Sequence, residues 1–395
     1  MIYFYYPSRA IGGSEYLILR VYRELQRRGR ECAIIDYSDG FFSNRLRGPE
    51  DKVFHCDNNL KISLPDARAD DVIVALSLSM GALPRVKAPT ARLVIWEVHK
   101  SFWLFFESRI TVKTPLKFLV GLILRKGIIR LANEGGLMVL EGDSLSLATR
   151  CGVGSAGRIS VVPIGLESVV EKTEAISVQQ PVRIVSIGRS VREKIFPLIW
   201  FIRRLQEAQI SFQLVFITDS IVAAKQEWSR YGVDAPVIME GLSDEPLRRY
   251  LVENADIYVG MGTTVLEAAR LGVPCLIIDA CNDEVYPATA KVRLGWENQL
   301  SNLGCFEPSS QVGHLPADAV RLIIANYGES VQKTSDYFRD NHKISNVCDS
   351  FERAISLSRA NLISNRWLRV GIALMNLRYS IAVAIRRFSR PRPLT

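Results

Sequence analysis

The sequence predicts an α/β protein built from two doubly wound domains, in which helices cover both faces of a largely parallel sheet. Short apolar runs alternate with helical patterns along residues 1–167, and the same alternation returns along residues 182–355. Residues 168–181 between these blocks are polar and lack a strong periodicity, which indicates a linker. The length of 395 residues also suits two hydrophobic cores better than one.

The elements follow one another in a regular order. The first block has predicted strands at residues 2–6, 31–37, 71–76, 92–96, 137–140 and 159–162, and its first helix covers residues 14–28. The second block has predicted strands at residues 183–187, 212–217, 237–239, 257–259 and 275–278, with helices at residues 196–208, 221–231 and 246–254. Residues 356–395 end the chain as a basic segment that is predicted to be helical.

Charge and cysteine content narrow the classes of function. The net charge of +9 favours anionic partners such as nucleotides and acidic lipid head groups. No basic cluster resembles a nucleic-acid-binding module, so no nucleic acid partner is expected. Seven cysteines without a Cys-x-x-Cys pair fit reduced thiols, and only four histidines argue against a metal cluster. The N-terminus predicts a first strand and not a signal peptide.

The most informative motif covers residues 258–279, where a strand, a glycine-rich turn, a helix and a second strand follow one another. Gly262 allows a ligand to approach the backbone closely, and Thr263 or Thr264 is predicted to cap the helix. The N-terminus of that helix suits a phosphate, and Glu267 lies one turn further on, within reach of a sugar hydroxyl. Alternatively, Thr264 and Glu267 form a capping box in which Glu267 only satisfies the helix start.

This motif resembles the nucleotide-sugar site of GT-B glycosyltransferases, especially the family 4-like group, and five further matches occur in the expected order. They are residues 11–15 (IGGSE), 94–100 (VIWEVHK), 160–167 (SVVPIGLE), 184–189 (IVSIGR) followed by Lys194, and 239–245 (MEGLSDE). The resemblance implies the GT-B fold, in which two Rossmann-like domains face a cleft that holds the donor, here followed by the C-terminal basic segment.

The resemblance also implies a set of donor-binding residues. Arg189 and Lys194 would neutralise the donor diphosphate, although such a charge pair can equally belong to a solvated loop. Gly12 and Gly13 would bring backbone amides to phosphate or acceptor oxygens, or serve only a tight turn. The complete set is Gly12, Gly13, Arg189, Lys194, Gly241, Leu242, Gly262, Thr263, Thr264 and Glu267, with Gly241 and Leu242 in the loop that faces the nucleobase.

His99 is the first candidate for catalysis, as a base for an acceptor hydroxyl or as a donor to the transferred sugar. The alternative is a structural histidine in an aromatic environment. Glu97 is a competing base, because on a strand it would share a face with His99. Glu15 and Glu141 are further carboxylate candidates.

One position departs from the family pattern. The E-x7-E pattern of the family would place its first glutamate at position 259, where this chain has Val259. Because that carboxylate is often near the donor sugar in the family, the resemblance does not specify the sugar or the stereochemical course. No Asp-x-Asp motif is present, so no metal is expected, and no cofactor beyond the nucleotide sugar as co-substrate.

Two segments combine apolar centres with flanking basic residues, at 102–130 and 366–392. Apolar burial and attraction to anionic lipid would hold either segment at a membrane interface. The alternatives are a core helix with snorkelling lysines for the first segment and a helix that returns across the first domain for the second. No run is apolar enough for a spanning helix, so a peripheral position on the cytoplasmic, inner face of the membrane is predicted.

These inferences predict a glycosyltransferase that moves a sugar from a nucleotide-sugar donor to a lipid-linked or membrane-bound glycan acceptor. A nucleotide-sugar epimerase of the same fold would need further acid and base residues, which the sequence does not identify. A non-catalytic subunit that binds nucleotide sugar is a third interpretation, which the missing first glutamate leaves open. Release of nucleoside diphosphate only in the presence of acceptor separates the first interpretation from the other two.

Overall fold

The computed structural model describes residues 1–10, 12–58, 61–62, 64, 68–76, 85–86, 91–100, 102–103, 115–153, 159–167, 178, 180–232, 236–241, 244–281, 286–287, 289–298, 301–304, 312–361, 368 and 370. The chain forms two compact units. One consists of Met1–Pro163 together with Val347–Thr395, and the other of Ile164–Asn346.

The first unit is built on a seven-stranded sheet whose strand pairs are all parallel. The strands are β1 (Ile2–Tyr5), β2 (Cys32–Asp36), β3 (Val53–His55), β5 (Val72–Leu76), β7 (Arg92–Glu97), β8 (Leu137–Val139) and β9 (Ser160–Val161), in the order β3-β2-β1-β5-β7-β8-β9. The short strands β4 (Lys61–Ile62) and β6 (Arg85–Val86) pair only with each other.

The second unit has a six-stranded sheet that is parallel except for its last strand. The strands are β10 (Val182–Ile187), β11 (Phe212–Thr218), β12 (Val237–Glu240), β13 (Ile257–Gly260), β14 (Cys275–Ile277) and β15 (Arg293–Leu294), in the order β12-β11-β10-β13-β14-β15. Alternate residues enter opposite cores, because Ile257 and Val259 pack on one face of this sheet and Tyr258 on the other. Both faces are therefore covered, as predicted for a doubly wound domain.

Helices connect the strands. They are α1 (Gly13–Arg27), α2 (Phe41–Arg45), α3 (Pro115–Asn133), α4 (Gly142–Arg150), α5 (Arg192–Glu207), α6 (Ile221–Ser229), α7 (Asp244–Asn254), α8 (Thr263–Ala269), α9 (Pro316–Ala325), α10 (Tyr327–His342) and α11 (Ile344–Leu357), with a 3-10 turn at Gly295–Glu297. Among the described helices, none is long and apolar enough to cross a membrane.

Each sheet reverses its strand order once, which fixes where a ligand can enter. In the first sheet the chain moves outward from β1 to β3 on one side and then from β5 to β9 on the other. In the second sheet the same reversal lies between β10 and β13. Loops that leave adjacent strands at such a point diverge to opposite faces, which opens a crevice at the carboxyl ends of the strands.

Helix α11 belongs largely to the first unit, so the observed division differs from the predicted boundaries at residues 167 and 355. Phe351 of α11 stacks on Phe4 of β1 with ring centroids 5.6 Å apart, and it lies 5.5 Å from the ring of Trp96. Burial of these aromatic rings draws the chain back to the first sheet at Val347. The predicted linker, residues 168–181, lies mostly outside the described residues.

A buried histidine joins the two ends of the second unit. His342 is fully buried, and its Nδ1 lies 2.9 Å from the carbonyl oxygen of Ile164, so the ring donates a hydrogen bond there. Leu166 and Lys343 form a parallel bridge next to it. Burial lowers the pKa of His342 to about 4, so the ring is neutral in the folded protein at neutral pH.

This burial makes stability depend on pH. The unfolded chain takes up a proton at His342 near the ordinary value of 6.5, but the folded protein does so only near pH 4. Stability from this difference is complete above pH 6.5 and falls by about 3 kcal/mol as the pH drops to 4. In urea titrations, His342→Gln should therefore lose less stability than wild type over this range, whereas the exposed His55→Gln control should follow wild type. Parallel curves for His342→Gln and wild type would contradict the assignment.

Candidate functional site

The loop that follows β10 is fixed by the end of β11. The conformation of Ser190 is restricted there, because its backbone N–H donates a hydrogen bond to Asp219 Oδ1 at 2.9 Å. The Ser190 hydroxyl also lies 2.6 Å from Thr218 Oγ1 and donates to the Ser220 carbonyl at 2.8 Å. The bond from the Ser190 backbone holds the pKa of Asp219 below its usual value. These contacts set the position of Arg189, the residue before Ser190.

Lys194 turns back toward the end of strand β10. The sequence pattern predicted a helix start at residue 196, but α5 begins at Arg192, because the charged residues of its first turn carry no apolar signal. The Lys194 stem crosses Gly188, where an added Cβ would lie 3.3 Å from Lys194 Cδ. Burial lowers the pKa of Lys194, and the positive charge of Arg189 lowers it further.

Arg189 and Lys194 form a pair of neighbouring cations at the reversal point of the second sheet. Arg189 is exposed, and within the described part of the chain no carboxylate lies at ion-pair distance from it. Glu193 offsets only part of the effect of burial and of Arg189 on Lys194. The two like charges repel each other, and the partly buried Lys194 has lost part of its hydration, so an anion placed between them would be stabilised.

The loop after β13 forms the other side of this crevice. Gly262 has φ +73°, a left-handed conformation that favours glycine, and it is the N-cap residue of α8. The prediction that Thr263 or Thr264 caps the helix is wrong, because Gly262 occupies the cap and no side chain bonds there. Thr264 Oγ1 instead accepts a hydrogen bond from the Tyr258 hydroxyl at 2.6 Å and lies 3.2 Å from the Met261 carbonyl.

Glu267 does not form the capping box that was the alternative interpretation. Helix α8 begins at Thr263, so Thr264 stands inside the helix and cannot act as the cap. The Glu267 carboxylate forms an ion pair with the buried guanidinium of Arg270. The carboxylate itself remains partly accessible.

The recess between the two loops has mainly apolar walls. Its lining consists of Ser186, Ile187, Gly188, Lys194, Leu198, Phe216, Gly260, Met261 and Ile278. Val259, at the position of the family's first glutamate, is fully buried in the core beneath it. A carboxylate at this position would lose its hydration in that core, so, among the described residues, the structure provides no second carboxylate in place of the family's first glutamate at position 259.

Gly241 follows β12 on the same edge of the sheet. It is exposed, and an added Cβ would lie 3.4 Å from the Thr218 carbonyl. Its neighbour in the prediction, Leu242, lies outside the described residues.

The glycine loop of the first unit follows β1, which borders the reversal point of the first sheet. Gly12 is the N-cap residue of α1 in extended conformation, and Gly13 is the first residue of that helix. Apart from its chain neighbours and the backbone of its own helix, an added Cβ at Gly13 would meet no atom of the described residues within 4 Å. The turn at Gly13 is therefore open, so a tight fit within the protein does not explain this glycine.

His99 follows strand β7, on the same edge of the first sheet. Burial lowers the pKa of its ring, and the charge of Glu15 partly opposes that effect. Glu97 does not share a strand face with His99, because β7 ends at Glu97. The Glu97 carboxylate is fully buried and accepts the backbone N–H of His99 at 3.0 Å. This geometry favours His99 over Glu97 as the group that can exchange a proton with a substrate.

Lys100 is a buried cation that the sequence pattern did not single out. Its Nζ lies 2.9 Å from Glu141 Oε1 and 3.1 Å from Asp143 Oδ2. These contacts connect the loop that carries His99 to the loop after β8. Only the neighbouring position of Lys100 and His99 in the sequence could have indicated this role. Among the described residues, no group of three His, Cys, Asp or Glu side chains is arranged to hold a metal.

The predicted membrane-facing segment 102–130 is divided between core and surface. Phe102 and Trp103 are buried in the core of the first unit, which corrects their assignment as lipid-facing residues and supports the core alternative there. Leu119 and Leu122 of α3 are 54% and 39% exposed, respectively. Residues 101 and 104–114 lie outside the described part of the chain.

The C-terminal segment meets the same helix. Leu368 is fully buried, and an added Cβ at Gly127 of α3 would lie only 2.6 Å from the backbone nitrogen of Leu368. This contact agrees with the alternative in which the chain returns across the first domain. Apart from Leu368 and Val370, residues 366–392 lie outside the described part of the chain.

No protein-family profile and no curated protein matches the sequence. Solved structures with a similar fold include the lipopolysaccharide outer core galactosyltransferase WaaB, with a TM-score of 0.52 and 14% identity over 90% of this chain and 98% of that one.

Two further structures are similar to the same extent. Alr3699/HepE of Anabaena, in complex with UDP and glucose, has a TM-score of 0.51 and 15% identity over 90% of this chain and 99% of that one. A glycosyltransferase from Rickettsia africae ESF-5 has a TM-score of 0.51 and 12% identity over 90% of this chain and 98% of that one. The predicted fold class is confirmed: the chain has the GT-B fold, with two Rossmann-like domains.

Proposed function

We propose that the protein is a glycosyltransferase that moves a sugar from a nucleotide-sugar donor to a lipid-linked or membrane-bound glycan acceptor. The observation that carries the proposal is the pair of cations, Arg189 and Lys194, beside the reversal point of the second sheet. The GT-B fold supports the class of donor, and HepE, which has a similar fold, was solved with UDP and glucose.

In this proposal the second domain holds the nucleotide. Arg189 and Lys194 neutralise the diphosphate, and the negative charge that develops on the leaving group strengthens both contacts. The backbone near Gly262 approaches the phosphates without a Cβ in the way. Glu267, oriented by its ion pair with Arg270, accepts a hydrogen bond from a ribose hydroxyl, and Gly241 lies beside the nucleobase. Thr263, Thr264 and Leu242 complete the proposed donor site.

The first domain then supplies the acceptor side. His99 takes a proton from the acceptor hydroxyl or donates a hydrogen bond to the transferred sugar. Burial lowers the pKa of its ring, which favours the neutral form that can accept a proton. Gly12 and Gly13 offer backbone amides to the substrate at the open turn. No metal and no cofactor beyond the nucleotide sugar takes part, and nucleic acid is not a partner.

A direct assay tests the activity. Purified protein is mixed with radiolabelled nucleotide sugars and a lipid extract, and released nucleoside diphosphate is measured with and without the extract. UDP-sugars are tested first. Diphosphate release that requires the extract supports transfer. Isomerised nucleotide sugar indicates an epimerase, and tight nucleotide binding without turnover indicates a binding subunit.

The cation pair gives the first prediction. Arg189→Ala should weaken UDP binding by about 2 kcal/mol, or roughly thirtyfold in Kd, because it removes a charge-assisted contact. Lys194→Met should weaken it similarly. Isothermal titration calorimetry measures both, with Arg192→Ala as the control, because Arg192 is an exposed arginine that instead lies over the Phe196 ring. Unchanged affinity for UDP in folded Arg189→Ala and Lys194→Met would contradict the assignment of these two residues to the donor diphosphate.

The open turn gives the second prediction. Gly13→Ala should leave the melting temperature unchanged or slightly higher, because the new methyl group meets no protein atom and alanine favours helix. Transfer should nevertheless fall by about tenfold or more, since the methyl group displaces a substrate oxygen. The control is Gly328→Ala on α10, where an added Cβ also meets nothing within 4 Å. Equal activity of Gly13→Ala and wild type would show that the turn is empty during catalysis.

We further propose that the protein acts peripherally on the cytoplasmic face of a membrane. Leu119 and Leu122 lie on the same helix as the exposed cations Lys126 and Arg130, which provides apolar insertion together with attraction to anionic lipid. Complete removal of residues 366–395 would not test this, because it would also remove the buried Leu368 from its contact with α3.

A sharper test replaces the two exposed leucines. L119S/L122S should sediment less with vesicles of phosphatidylglycerol than wild type does, and binding of wild type should weaken with salt. The double variant V222S/L322S is a matched control, because these apolar residues are also exposed but belong to the second domain. Equal sedimentation of both double variants, or equal binding of wild type to neutral and anionic vesicles, would contradict the proposal that this surface of α3 binds membranes.

A further inference from the structure

A buried tyrosine lies on the strand that precedes the glycine loop of the second domain. Tyr258 belongs to β13, and its ring packs on the face of the sheet that also carries Val185 of β10 and Val265 of α8. Val185 and Tyr258 are paired across the two strands that border the reversal point. The side chain is fully buried, so its hydroxyl requires a partner within the protein. Burial raises the pKa of this hydroxyl, which therefore keeps its proton and remains a hydrogen-bond donor.

The Tyr258 hydroxyl is connected to both loops of the crevice. It donates to Thr264 Oγ1 at 2.6 Å and lies 3.4 Å from the carbonyl oxygen of Ile187. Thr264 Oγ1 in turn lies 3.2 Å from the Met261 carbonyl oxygen and 3.4 Å from that of Ile187. Ile187 is the last residue of β10, and Met261 follows the last residue of β13. One pair of hydroxyl groups therefore links the starts of the two loops.

Both hydroxyl hydrogens of this pair are used within the protein. The carbonyl oxygens of Ile187 and Met261 can only accept, so the two hydroxyl groups are the donors of the cluster. Since Tyr258 donates to Thr264, the single hydroxyl hydrogen of Thr264 is directed to one of the two carbonyl oxygens. Thr264 then has no hydrogen left for a phosphate oxygen, and it can serve a donor site only through its position.

The glycine that ends β13 is matched to this tyrosine. An added Cβ at Gly260 would lie 2.6 Å from Tyr258 Oη, and the ring carbons next to the hydroxyl would be 3.0 Å away. Because the ring is fully buried in a packed core, it has little room to move away from such a methyl group. Gly260 also lines the recess, together with Ile187 and Met261. The tyrosine hydroxyl therefore packs against the wall of the recess.

We propose that Tyr258 is a positioning residue of the donor site, whose bond to Thr264 fixes the separation between the loop of Arg189 and the loop of Gly262. This inference rests on the proposed function, in which the two loops bind one diphosphate. Hydrogen bonds and charge-assisted contacts depend on distance and direction, so a change in the separation of the loops weakens the contacts of both with a shared anion. Tyr258 acts in this way from the core, without a contact to the ligand.

Hydrogen exchange in the ligand-free protein tests the link and does not require activity. In Tyr258→Phe, peptides that cover residues 187–194 and 261–266 should both exchange several-fold faster, because the bond that restrains the two loops is lost. Tyr286→Phe is the matched control, since its hydroxyl is also buried and donates to the Asp279 carbonyl at 3.2 Å, but the ring belongs to the core on the opposite face of the sheet. It should leave both peptides unchanged. Unchanged exchange in Tyr258→Phe would contradict the link.

Affinity for UDP, measured by isothermal titration calorimetry, tests the consequence. Tyr258→Phe and Thr264→Val should each raise the Kd by about fivefold, as expected for the loss of one hydrogen bond. Thr264→Ser keeps the hydroxyl and should bind UDP as wild type does. Both changes remove the same bond, so the double variant Y258F/T264V should bind no more weakly than the weaker single variant. A tyrosine with a purely structural role would lower the midpoint of urea unfolding and leave the Kd of the folded protein unchanged.

The outcomes separate this inference from the proposed function. Faster exchange of both peptides in a protein that binds neither UDP nor another nucleoside diphosphate keeps the link between the loops and rejects the donor site. Transfer activity together with an unchanged Kd in folded Tyr258→Phe and Thr264→Val rejects the positioning role and keeps the enzyme. If Tyr258→Phe does not fold, Thr264→Val removes the same bond and carries both measurements.

Discussion

The reversal of strand order in a parallel sheet is the constraint on which the candidate site depends. Each crossover helix must pack on one face of the sheet, so two loops that leave neighbouring strands separate only where the direction of winding changes. In the second sheet those strands are β10 and β13, and they are followed by the loop of Arg189 and the loop of Gly262. The location of the site therefore follows from the topology of the sheet, before any side chain is considered.

Desolvation then determines which charged groups can serve a ligand. Glu97 and Lys100 are buried and form hydrogen bonds or ion pairs within the protein, so they stabilise the loop that carries His99. Lys194 is partly buried beside another cation. Burial of an ion without a partner of opposite charge is unfavourable. A bound ligand of opposite charge would remove this penalty, so such a site favours binding of that ligand. The first domain shows the complementary arrangement, in which the buried Glu15 carboxylate accepts a hydrogen bond from the Ser8 hydroxyl.

Most of the fold could be predicted from the sequence, because buried parallel strands give short apolar runs that helices separate. The prediction was less successful where polar residues begin a helix. The first turn of α5 contains charged residues, and the cap of α8 is a glycine and not the neighbouring threonines. Phe102 and Trp103 were assigned to a membrane because an aromatic cluster has the same composition in a core and at an interface. The hydrogen bond between Ser8 and the buried Glu15 could not be predicted, because it depends on the conformation of the loop before α1.

The return of the chain at Val347 has a consequence for how the protein can be divided. The second unit is one continuous segment, and the bridge between Leu166 and Lys343 holds its two ends side by side. Such an arrangement is that of a domain inserted into a host domain. We expect that the inserted domain can be produced as one continuous segment, whereas the host domain would require an artificial linker from Pro163 to Val347. The two domains therefore differ in chain continuity, since one is a single segment and the other consists of two, although their folds are alike.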